Sequence, residues 1–168
     1  MIWFTADHHF NHANIIKYCN RPFSSVDEMN NELVRRWNEV IKPDDTVYHL
    51  GDFTLEGVET FYKFFMQLNG KILIIPGGHD YRWTTGEVLC NVSDPLISIE
   101  LDTGRKFPLV IVLCHYAMRV WDRSHYGSLH LYGHSHGNLE MWPNSMDVGV
   151  DCHNYYPVSL DTVLEVLK

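Results

Sequence analysis

A chain of 168 residues, 45% hydrophobic and 20% charged, is long enough for one domain with a full core and lacks the bias of a disordered segment. Its formal charge of −8 at pH 7 argues against a protein that grips long nucleic acid through clustered Lys and Arg, and leaves small anionic substrates open. Four cysteines with no Cys-x-x-Cys pair exclude a disulfide scaffold, and no signal-peptide pattern or membrane-length apolar run is visible, so a cytoplasmic protein is expected.

In chain order, Ile2 to Ala6 is a short β-prone run that ends at Asp7, and Asn14 to Cys19 suits a brief helix broken by Pro22. Ser25-Val26-Asp27-Glu28 has the form of a capping box, and Met29, Leu33, Val34, Trp37, Val40 and Ile41 then recur at helical spacing as one apolar face. Pro43 stops that helix, Thr46 to Leu50 forms the second strand, and Gly51-Asp52 follows it. Val58 to Leu68 is a third helix, ended by Asn69-Gly70, and Lys71 to Ile75 is a buried strand running into Pro76-Gly77-Gly78-His79-Asp80.

These units describe a parallel α/β sheet whose loops converge at the carboxyl ends of its strands. The second half changes character, with candidate strands at Leu96 to Leu101, Leu109 to Leu113, Leu129 to Tyr132, Leu139 to Trp142 and Met146 to Val150. Turns rather than long helices separate them, which predicts a second, partly antiparallel sheet and one domain over residues 1–168. A last helix begins near Ser159.

Five clusters carry the chemistry: Asp7-His8-His9, Gly51-Asp52, Gly77-Gly78-His79-Asp80, Cys114-His115 and Gly133-His134-Ser135-His136, each directly after an apolar run. Imidazole and carboxylate together are a ligand set for zinc, iron and manganese, and two such ions a few ångströms apart can activate water against a phosphate ester. His8 and His49 alternate away from the ligand positions and are read as packing or supporting residues, and His130 and His153 are left without a role.

The ordered set Asp7-x-His9, Gly51-Asp52, Gly77-Gly78-His79-Asp80, His115 and Gly133-His134-Ser135-His136 resembles the motifs of calcineurin-like metallophosphoesterases, in particular the small bacterial and phage-type members. The resemblance implies a four-layer αββα sandwich of two mixed β-sheets with two divalent ions at one edge. Manganese is the first choice, and iron, zinc, cobalt and nickel suit the same ligands. It implies Asp7, His9 and His136 on one metal, His115 and His134 on the other, and Asp52 bridging both. A metal-bound hydroxide would attack phosphorus, His79 would assist the leaving oxygen, and Asp80 would orient His79.

One position departs from the family pattern. Gly78 stands where Asn ligates the second metal, and weakened occupancy or turnover is expected. Around the site, Asn11 and His12 are candidate phosphate contacts, as is Gly78. The segment from Tyr116 to Tyr126 resembles a substrate-recognition loop, with Arg119 to neutralise phosphate, Trp121 or Tyr126 to stack on a base, and His125 to bond a leaving group.

The reading is therefore a phosphoesterase for a small monoester or diester, with a nucleotide or cyclic nucleotide favoured. No membrane or extended nucleic-acid partner is expected, and a homodimer is compatible with the surface. Two alternatives stand beside it: a catalytically impaired scaffold or interaction module on the same fold, and a nuclease.

Overall fold

The structure, a computed structural model, describes residues 1–84, 91–102, 104 and 106–167. Two mixed sheets face each other. The first has the order β4-β3-β2-β1-β9, built from β1 (Ile2–Thr5), β2 (Thr46–His49), β3 (Lys71–Ile74), β4 (Asn91–Val92) and β9 (Val158–Ser159). All its pairings are parallel except β1 with β9. The second has the order β5-β6-β7-β8, from β5 (Leu96–Leu101), β6 (Leu109–Cys114), β7 (Leu129–Tyr132) and β8 (Ser145–Asp147). Here β5 is antiparallel to β6 and the rest are parallel.

Alternation along the strands of the first sheet sorts its two faces. Val47, Ile72 and Ile74 meet Met29, Leu33 and Trp37 of α2 (Val26–Val40) and Phe61 and Phe64 of α3 (Val58–Phe65). Phe4, Ala6, Leu50 and Ile75 turn the other way and meet Ile111, Leu113, Leu129 and Leu131 of the second sheet. Two smaller helices, α1 (Ala13–Tyr18) and α4 (Tyr81–Thr84), lie in the loops after β1 and β3. The C-terminal α5 (Leu160–Val166) is capped by Ser159 as expected, and its Val163 joins the core between the sheets.

Three expectations need correction. The outer face of the second sheet, Val110 and Val112, is covered by Met118 and Trp121 from the segment after β6, so among the described residues a loop with one 3-10 turn takes the place of a fourth, helical layer. Leu139 to Trp142 is not a strand: Leu139, Met141 and Trp142 are exposed, so an apolar composition there does not report burial. The last predicted strand is shorter, at Ser145–Asp147. Among the described residues no helix is long and apolar enough to cross a membrane.

Candidate metal centre

The parallel register of β1 and β2, with Thr5 opposite His49, carries on past the strand ends. The Asp7 N–H donates to the Gly51 carbonyl (3.0 Å), His9 to Asp52 (3.0 Å) and Phe10 to Phe53 (2.8 Å), which holds the first two motif loops side by side. The second sheet delivers His115 after β6 and His134 after β7, joined by Gly133 N–H to His115 carbonyl (3.0 Å). The two sheets are stitched at the site itself, where His134 N–H donates to Asp7 Oδ2 (2.8 Å).

Three donor groups result among the described residues, and one of them, Cys19, His136 and Asp151, reuses His136 of another. Of the remaining two, Asp7, His9 and His136 form one and Asp52, His115 and His134 the other, each with one ligand atom per residue within 4.8 Å of the others. Asp52 Oδ2 stands between them, 3.8 Å from His9 Nε2 and 3.3 Å from His115 Nε2. Asp7, His9, Asp52, His134 and His136 all adopt left-handed backbone conformations, φ +48° to +67°, which aim successive side chains inward.

Several buried donors have no hydrogen-bond partner among the described residues: Asp7 Oδ1, both ring nitrogens of His9, and His115 Nε2. Buried polar atoms are nearly always paired, so orphaned donors of this type, converging on two points, fit divalent cations. The glycines make room, since a Cβ at Gly77 would come within 2.9 Å of His115 and one at Gly133 within 2.7 Å of Asp7 Oδ2.

The electrostatics follow from burial of like with unlike. Burial pushes the Asp7 carboxyl up to about 7, against the pull of His115 and His136. Burial also opposes charge on His115, but the Asp52 and Asp7 carboxylates push it up to about 9. Asp52 is held below the ordinary carboxylate range: burial raises it, and the His115 and His9 imidazoles outweigh that. His9 and His134 are lowered, chiefly by burial, and so stay neutral and ready to donate a lone pair.

Two supporting residues lie outside the five sequence clusters. His136 Nδ1 meets Asp151 Oδ2 at 2.7 Å, which leaves Nε2 for the site, and buried Arg21 clamps Asp151 through both carboxylate oxygens at 2.8 Å each. Arg21 also donates to the carbonyls of Asp7 (2.7 Å) and His8 (2.9 Å). Asp151 follows Val148-Gly149-Val150, the same apolar-run-then-Asp pattern as Leu50-Gly51-Asp52, so a signal existed. Nothing in the sequence pointed to Arg21. His115 is fixed in the same way, Nδ1 to the Leu50 carbonyl at 2.6 Å.

His79 is half-exposed at the mouth, with its N–H donating to Asp52 Oδ1 (3.0 Å) and its ring 5.8 Å from that of His9. Asp80 does not orient that ring. Its carboxylate is buried in the loop, accepting N–H groups of Asp52 (2.8 Å), Phe53 (2.9 Å), Gly77 (2.8 Å) and Trp83 (3.1 Å), so it fixes the Asp52 turn instead. His8 and His49 are buried against Trp37 and Phe53 and bonded to each other at 2.9 Å, as supporting residues.

The recognition residues divide. His12 lies beside His9, ring centroids 5.7 Å apart, whereas the Asn11 side chain is engaged by Glu56 (3.0 Å). Arg119 is stacked 3.9 Å over the Trp142 ring. Trp121 is no base-stacking platform: it is buried on the second sheet, with Nε1 donating to the Ser128 carbonyl (3.2 Å). His125 is misplaced as a leaving-group contact. The parallel pairing of β6 and β7 obliges the connecting segment to return to the strands' starting ends, and His125 lies in the turn just before β7, opposite the end that carries His115 and His134.

No protein-family model matches the chain. The uncharacterized protein MJ1445 of Methanocaldococcus jannaschii is 37% identical over 176 aligned positions, spanning 99% of this chain and 91% of that one. The chain belongs to the MJ1445 family. The crystal structure of AQ665 from Aquifex aeolicus, a protein of unknown function, has the same fold, with a TM-score of 0.77, 23% identity, and coverage of 99% of this chain and 98% of that one. Phosphopantetheinyl hydrolase (PptH) of Mycobacterium tuberculosis is a slight likeness, with a TM-score of 0.32 and 16% identity over 75% of this chain and 48% of its own.

Proposed function

We propose that this MJ1445-family chain is a hydrolase of small phosphate esters that works with two divalent cations, on a calcineurin-like metallophosphoesterase fold. The observation that carries the reading is the pair of donor groups that meet at Asp52, with orphaned buried donors on both sides. Bound cations of this kind supply Lewis acidity, lowering the pKa of water and offsetting phosphoryl charge, and manganese is the first ion to try. Asp7, His9 and His136 would hold one cation, and His115 and His134 the other. The two oxygens of Asp52 suit a shared ligand.

His79 is the acid nearest the mouth. Its backbone N–H is tied to Asp52, so its ring stays close to the donor groups while half of the side chain faces solvent, where a departing ester oxygen would emerge. A nucleotide or cyclic nucleotide is the favoured substrate, and His12 the first residue to test for contact with it. Cytosol is the proposed setting, in keeping with free Cys19, Cys114 and Cys152.

The test is hydrolysis of p-nitrophenyl phosphate and bis-p-nitrophenyl phosphate with added manganese. Turnover that Asp52→Ala abolishes is the expected result, and the ratio of the two substrates separates monoesterase from diesterase. Manganese bound by the wild type without turnover of either ester would sink the general esterase reading in favour of a scaffold or a narrowly specific enzyme.

A further inference from the structure

By the metallophosphoesterase resemblance, residue 78 is where a side chain would complete the second donor group, and in this chain the Tyr116 side chain lies against that position. A Cβ built on Gly78 would stand 2.7 Å from the Tyr116 hydroxyl oxygen and meets nothing else closer than 4.0 Å, where the same ring begins. That separation is about the reach from a Cβ to the polar end of an asparagine amide, so the phenol oxygen occupies the volume that such a side chain would enter. Gly78 does not mark a void.

The half-exposed ring of Tyr116 touches both imidazoles of that donor group. It lies edge-on to His115, with centroids 4.9 Å apart, and edge-on to His134, with centroids 4.8 Å apart. Its neighbour His115 is anchored by Nδ1 on the Leu50 carbonyl at 2.6 Å. A hydroxyl can present oxygen lone pairs as the oxygen of an amide does.

On the reading that this centre binds two cations, we infer that the Tyr116 hydroxyl is the fourth protein group of the Asp52, His115 and His134 position, supplied from the end of β6 in place of the side chain that residue 78 lacks. Gly78 and Tyr116 then form one exchangeable unit. A side chain at 78 and a hydroxyl at 116 cannot share the space without one of them moving.

Manganese titration of the purified protein, following ions bound and their affinities, separates the pieces. The wild type is expected to take two ions. Tyr116→Phe, which keeps the ring and removes the oxygen, is expected to weaken one ion on the order of tenfold and leave the other unchanged. Gly78→Asn alone should bring no gain, because its Cβ meets the hydroxyl, whereas Gly78→Asn with Tyr116→Phe should recover the lost affinity.

A ring that only fills space would show no loss in Tyr116→Phe and no recovery in the double variant. Two ions bound equally by wild type and Tyr116→Phe would overturn this inference and leave the phosphoesterase reading standing. Fewer than two ions in the wild type would overturn both.

Discussion

Burial sets the titration of the centre, and its sign can be followed group by group. Asp7, raised from 3.8 to about 7, retains a proton that the unfolded chain releases, so its contribution to stability without cations is full below pH 4 and is lost as pH rises through 7. His115, raised from 6.5 to about 9, contributes below 6.5 and is lost through 9. Asp52 has the opposite sign: its contribution is present above the ordinary 3.8 and fails only as pH drops through its lowered value. His8, His9 and His49 are lowered chiefly by burial, so their contribution is present above 6.5 and is lost as pH falls toward their lowered values. The cation-free protein should thus be most stable near neutral pH, which thermal melts in chelator from pH 4 to 9 would check. On the proposed reading, cations would compete with the Asp7 and His115 protons, so affinity should climb from pH 6 to 9 with proton release near neutrality, visible as buffer-dependent heats in calorimetry. Asp151→Asn leaves buried Arg21 without its carboxylate and His136 without its anchor. A loss of about 3–5 kcal/mol of stability and on the order of tenfold in cation affinity is expected, read by chemical denaturation and manganese titration.

Helix α2 shows what an element can disclose before folding. Its apolar stripe sits where the spacing placed it, and Ser25 accepts the Glu28 N–H at 3.1 Å, so Ser25→Ala should cost about 1 kcal/mol in urea titration. The capping box is shifted, however: the Glu28 carboxylate reaches the N–H and hydroxyl of Ser24. The loops that bring the donor groups together were legible for a similar local reason, since each follows an apolar run that reads as a buried strand. The two-residue strands β4 and β9 were not, because neighbours rather than propensity create them. The pairing of Arg21 with Asp151 was hidden by distance, 130 positions apart in the chain. Trp83 links an element to the site, as its ring stacks on Phe61 at 4.0 Å and its Nε1–H holds Asp80. Phe61→Ala should therefore cost about 3–5 kcal/mol and also loosen the Asp52 turn, so that cation affinity falls along with the melting temperature.

At the scale of the whole molecule, 21 acidic against 13 basic side chains leave no field to gather a long polyanion, and turnover of small esters should change little between low and high salt, whereas a nuclease would show a steep decline. The layering was only partly legible: the packing of one sheet on the other is implicit in buried runs, but nothing in a sequence of loops distinguishes a helical cover from the Met118 and Trp121 cover on the second sheet. The left-handed conformations at Asp7, His9, Asp52, His134 and His136 act at this scale too. Each costs about 1–2 kcal/mol in an L-residue, a sizeable share of the 5–15 kcal/mol that typically separates a folded domain from its unfolded chain. Cations that bind only the folded arrangement would offset that strain by mass action. A chelated sample should then be cut by trypsin much sooner than one kept in manganese. In a cell short of the ion, the chain would be lost to proteolysis as well as idle, so metal supply would govern its lifetime.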